Sequence, residues 1–179
     1  MENNSIAPKK NPQFGIIFGL LMILSFVIIY VSGVDVIETP MIGTVSSILS
    51  YFFFPVTFIF LSCLDFRKRN GGYISYIESL KTGVSTVFIG ALIFVVFNAI
   101  FNFLFPEYLE LILSQTKQIM LKQKPNITQK ELEMGVEMAR KFSSPLFTIP
   151  ITLLSFSFMG LLYSCIIGLV VKRDNPQSF

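Results

Sequence analysis

Two short runs carry the residue types of an acyl-transfer site. Ser114-Gln115-Thr116-Lys117 fits S-x-x-K, a serine nucleophile beside a lysine, and Lys81-Thr82-Gly83 fits K-T-G. That chemistry needs both runs in one pocket with a third signature. The third is absent, and a charge-free stretch long enough to cross a bilayer separates the other two. The 179 residues include no His, which removes Ser-His-Asp and Cys-His nucleophiles, His-ligated zinc and His proton relays. The 2 Cys, Cys63 and Cys165, are too few for a thiolate cluster; both read as thiols, and Cys165 as a small packing residue. Phosphate-binding loops, dinucleotide fingerprints and EF-hand patterns are missing. The sequence therefore predicts no enzyme, no metal and no cofactor.

What remains inside the apolar stretches is uncharged. Asn98 and Asn102 lie one helical turn apart on a shared face. An amide facing lipid is expensive, so both are expected to face the protein interior or water. Pro150 lies at similar depth in the last apolar stretch and leaves the Leu146 carbonyl without its helical donor. The expectation is that one of the two Asn amides donates to that backbone as helix glue, the alternative being a polar permeation or ligand site. Gly15 and Gly19 form GxxxG, and Gly160, Ser164 and Gly168 form a second ridge of small residues. Such ridges serve packing within the chain or pairing with another copy. Pro55 predicts a kink in the second apolar stretch.

Four charge-free runs must hold these residues in place: 14–34, 41–64, 82–105 and 146–171. About 20 helical residues cross the hydrocarbon of a bilayer. Hydrophobic residues make up 53% of the chain and charged ones only 14%, and the runs do not alternate as barrel strands do. The expected fold is all-α: one domain over 1–179, an integral membrane bundle of four transmembrane helices. The first run follows Lys9 and Lys10 like a secretory signal, but it is long and lacks a cleavage site, so it reads as a retained helix. Lys and Arg gather in the tails (Lys9, Lys10, Lys172, Arg173) and in the middle link (Arg67, Lys68, Arg69, Lys81), whereas the first link holds Asp35 and Glu38. By the positive-inside rule both termini and the middle link are cytoplasmic.

The long link 106–145 is expected to form an extracytoplasmic helical hairpin between helices three and four. Its first helix runs through Tyr108, Leu109, Ile112, Ile119 and Met120, and its second presents Leu132, Val136 and Ala139 on one face. Thr128-Gln129-Lys130-Glu131 reads as a capping box at the start of the second helix. The two helices either pack on each other or the membrane surface, or offer a docking surface for a partner. Asn126-Ile127-Thr128 fits both a glycosylation acceptor and a capped turn.

The middle link is the most patterned stretch. Arg67, Lys68 and Arg69 stop the second span, Gly71-Gly72 permits a reversal, and Ser75-Tyr76-Ile77-Glu78 reads as another capping box. Tyr73, Tyr76, Ile77 and Leu80 share a helical face suited to the headgroup layer. The link is either a topological anchor or a cytoplasmic recognition loop. Its Gly71-Gly72-Tyr73-Ile74-Ser75-Tyr76 turn and the following Glu78-Ser79-Leu80-Lys81-Thr82-Gly83, with the four-span layout and the Pro106-Glu107 start of the outer loop, resemble the bacterial membrane family catalogued as domain of unknown function 4199. The resemblance implies an integral inner-membrane protein with no assigned activity or cofactor.

Together these features predict a multi-pass protein of the bacterial cytoplasmic membrane, acting as a non-enzymatic structural or accessory component. The alternative is a small transporter or channel protomer for an uncharged substrate, since ion-coupled transport calls for ionisable groups at mid-membrane and the spans have none. The expected partners are the lipid bilayer and either a second copy or an unidentified membrane protein. Nucleic acid is not expected, because the basic clusters serve as lipid-facing stops.

Overall fold

A computed structural model describes residues 11–34 and 39–174. Lys9, Lys10, Asp35 and Glu38 of the charge pattern lie outside the described residues. Four helical stretches are long and apolar enough to cross a membrane: Gln13–Ser32, Pro40–Arg69, Tyr76–Leu104 and Pro145–Val171. The described residues form seven α-helices and no strand. They are α1 (Gln13–Ser32), α2 (Pro40–Ile48), α3 (Phe54–Arg69), α4 (Tyr76–Leu104), α5 (Pro106–Gln123), α6 (Gln129–Phe142) and α7 (Pro145–Val171). Exposed Leu24, Val31, Phe103, Leu154 and Leu169 clothe the outside of the spans. In water such a surface would drive aggregation, whereas in a bilayer it is the solvated face.

α4 is the axis of the bundle, with its most extensive interfaces against α7 and α1. Phe18, Ile59, Cys63, Val87 and Ala91 are fully enclosed between these helices. Close approach depends on missing side chains. A Cβ on Gly19 would lie 2.9 Å from the Gly90 carbonyl of α4, and one on Gly83 would meet the Ser164 hydroxyl and stand 2.8 Å from Ile59 Cγ2. A methyl on Gly19 would force the two backbones apart, and one on Gly83 would force Ser164 and Ile59 to move.

The second span is not one continuous α-helix. Between α2 and α3 the chain takes a π-helical turn, Leu49–Phe53, in which the Phe54 N–H reaches back to the Leu49 carbonyl. Pro55 follows directly, and its missing N–H leaves the Tyr51 carbonyl without a helical donor. The Tyr163 hydroxyl of α7 donates to that carbonyl at 3.0 Å. The wide turn and the cross-helix bond together are how this span absorbs its proline.

One end of the bundle is stitched together. Gly71 and Gly72 have φ of 65° and 93°, a left-handed reversal in which side chains are strained. Beyond it Ile74 and Arg173 form an antiparallel bridge, with N–H to carbonyl distances of 3.0 and 2.9 Å. Arg67 donates to the Val171 carbonyl at 3.3 Å, and Asn11, at the start of α1, donates to Asp65 at 3.4 Å. At the far end of α4, α5 and α6 pack on each other through buried Leu113 and Leu132, and Met120 lies over Gly135. In α5 Leu113 is buried, whereas Ile119 is 40% exposed.

Candidate functional site

The polar residues singled out in the sequence do not converge. Asn102 donates its amide to the Asn98 carbonyl at 2.9 Å and to the Asn98 side-chain oxygen at 2.8 Å. Among the described residues neither amide bonds to α7, so the expected bridge to the backbone near Pro150 is not made. An acceptor one turn back on the same helix needs no second backbone to approach. Pro150 is exposed on α7 near its start, at Pro145. Gly15 and Gly19 face α4, and Gly160 and Gly168 lie against Val87 and Tyr76 of α4, with buried Ser164 on the same ridge donating to the Gly160 carbonyl. Both ridges are thus occupied within the chain.

The link residues also have structural partners. Arg69 pairs with Asp65 at 2.7 Å, and the Arg173 guanidinium lies 6.0 Å from the centre of the Tyr73 ring. Glu78 accepts the Ser75 N–H at 2.7 Å while Ser75 Oγ accepts from the Glu78 N–H, so the predicted capping box forms and α4 starts at Tyr76. Lys68 and Lys81 stand at the surface. Lys81-Thr82-Gly83 and Ser114-Gln115-Thr116-Lys117 are separated by the length of α4, roughly 33 Å from Thr82 to its end at 1.5 Å per residue.

Two cavities flank the tight α1–α4 contact instead. The larger, about 450 Å³, is an open cleft between the second half of α1, α2 with its π turn, and α5. Phe26, Tyr30 and Tyr108 form an aromatic wall, their ring centres 5.5 Å (Phe26–Tyr108) and 5.6 Å (Tyr30–Tyr108) apart in edge-to-face contact. Ser25, Ser46, Ser47 and Ser50 bring hydroxyls to the same space. Burial pushes the Tyr108 phenol above its ordinary pKa, with Tyr30 beside it adding to the shift, so the phenol is neutral at physiological pH. None of the described lining residues is charged.

The smaller cavity, about 390 Å³, lies at the stitched end beside Asn11, Ser62, Thr82, Ser85 and Thr86. Thr86 donates to the Thr82 carbonyl at 2.9 Å and lies 2.8 Å from Ser62 Oγ. The Thr82 hydroxyl is buried and has no hydrogen-bond partner among the described residues. Phe18, Phe58 and Phe156 pack on one another in the core, and Met22 of the same core lines the cleft.

Sequence reasoning passed over Ser46, Ser47 and Ser50 because each serine is unremarked alone. Their helical spacing in a charge-free run was the available signal. Tyr163 had no such signal, since its partner carbonyl is fixed only by tertiary packing.

Four apolar spans around an interior whose buried polar residues, among those described, are serines and threonines define a multi-pass α-helical membrane protein. The chain belongs to the family described as Protein of unknown function (DUF4199), whose model matches residues 13–173. No curated protein and no solved structure matches the chain.

Proposed function

We propose that this protein is a non-enzymatic structural or accessory component of a bacterial cytoplasmic membrane. Both termini and the α3–α4 link lie in the cytoplasm, and α5 and α6 form a helical hairpin on the outer side. The observation that carries this reading is the segregation of charge. Arg67, Lys68, Arg69, Lys172 and Arg173 gather at the stitched end, where an anionic inner leaflet favours each by about 1 kcal/mol, while the buried polar groups are Ser62, Ser79, Thr82, Thr86 and Ser164. Hydrolytic chemistry would want a carboxylate pair, a His or a metal in the bundle. The bilayer is the first partner. A second copy or another membrane protein would have to use a face other than the two glycine ridges.

The pair of uncharged cavities favours a second reading, a small transporter or channel protomer for an uncharged substrate, which would have to open the Phe18–Met22 region to connect them. Proteoliposome swelling in glycerol or erythritol separates the two. An accessory protein leaves the rate at that of protein-free vesicles, and a transporter raises it. Labelling an Asn70→Cys chain, with Cys63 and Cys165 replaced by Ala, with a membrane-impermeant maleimide tests the orientation: reaction only in inverted vesicles fits it, and reaction in intact spheroplasts overturns it.

A further inference from the structure

We propose that the cleft between α1 and α2 is a binding site for a neutral single-chain amphiphile with a hydroxyl or ester head, which enters sideways from the lipid. The opening comes from the second span. No residue of Pro40–Phe53 is buried, and it is Tyr51 and Phe52 of the π turn that rest on α7, through Phe156 and Tyr163. α2 therefore stands off from α1 and leaves a lateral gap that runs from the spans up to Tyr108, Leu111 and Ile112 of α5.

The volume selects the occupant. About 450 Å³ is the size of a small-ligand site. The chemistry selects further. Ser25 and Ser47 bond back to their own helices, to the Leu21 and Gly43 carbonyls. The hydroxyls of Ser46, Ser50, Tyr30 and Tyr108 bond to no group among the described residues. Hydroxyls without partners are costly away from water, and a ligand head carrying donors and acceptors relieves that cost. Among the described residues no Lys or Arg lines the cleft, so a phosphate head would enter without a counter-charge. The apolar chain lies against Met22, Phe26 and Phe94. The site is the same whichever end of the bundle faces the cytoplasm, so it stands or falls apart from the orientation proposed above.

The test uses the full chain in nanodiscs of phosphatidylethanolamine and phosphatidylglycerol, with a monoacylglycerol carrying a diazirine in its acyl chain. Photolabelling is expected on peptides from the second half of α1 and from α2. Excess unlabelled monoacylglycerol should compete it away, and added phosphatidylglycerol should not. Filling the cleft with Ser46→Leu and Ser50→Leu together should lower labelling by about tenfold, equivalent to 1.4 kcal/mol, while Ser155→Leu on the outside of α7 leaves it unchanged. Should the filled variant fail to fold, Ser46→Ala with Ser50→Ala should weaken labelling by the monoacylglycerol and spare that by a headless hydrocarbon diazirine. Labelling spread along Leu154 and Leu169, equal competition by phosphatidylglycerol, or indifference to the alanine pair overturns the proposal.

Discussion

At the scale of single residues, the bond from Tyr163 to the Tyr51 carbonyl is the clearest case of one side chain answering for another's defect. Pro55 removes a donor within its own helix, and a phenol from α7 replaces it. Tyr163→Phe should cost about 0.6 kcal/mol, the usual worth of a cross-helix hydrogen bond in a membrane protein, read from unfolding in mixed micelles. In a Pro55→Ala background the cost should shrink, because an alanine there supplies the N–H that the proline lacks; a double-mutant cycle measures that coupling. Equal costs in both backgrounds would show that the bond does not answer the proline. Gly90 makes a larger demand. A Cβ there would run into the Phe18 ring and lie 3.0 Å from the Gly15 carbonyl. Gly90→Ala should destabilise the bundle by about 1–3 kcal/mol in the same assay, and a loss within error would mean that α1 slides freely on α4.

At the scale of elements, α6 is held at its start by reciprocal bonds. Thr128 Oγ1 accepts from the Glu131 N–H at 3.3 Å, and the Glu131 carboxylate accepts the Thr128 N–H at 3.0 Å. The Thr128 backbone and hydroxyl bonds hold the Glu131 carboxyl below its ordinary value of 4.5. A carboxyl whose folded pKa is depressed adds stability that is complete above its unfolded pKa and is lost as pH falls through the folded value. Amide-exchange protection factors in the first turn of α6 should therefore hold steady from neutral pH to about 5 and then decline on further acidification. Thr128→Ala should lower the plateau by about 1 kcal/mol and flatten the decline. Both capping boxes and the charge-free runs were legible in the sequence because each is a local pattern, complete within four residues or within one span. The π turn, the Tyr163 bond and the cleft were not, since they arise where segments distant in sequence meet. Asn98 and Asn102 fall between. Their shared face was readable from spacing, but the acceptor was assigned to α7 when the nearest one stood a turn back on α4 itself.

At the scale of the whole molecule, the Ile74–Arg173 bridge, the Arg67–Val171 bond and the Asn11–Asp65 bond bring the start of α1, the α3–α4 link and the exit from α7 to one end. In a chain with Cys63 and Cys165 replaced by Ala, single cysteines at Asn70 and Asp174 should react with an impermeant maleimide from the same face, and one at Lys124 from the opposite face. Any other pattern breaks the four-span arrangement. The same end imposes an order on biosynthesis. Ile74 is translated well before Arg173, yet its backbone bonds are completed only once the last span is in place. A chain that stalls or is clipped before α7 leaves the Gly71–Ile74 reversal unclasped and its most enclosed residue open to proteases, so the bridge marks a chain whose insertion has finished.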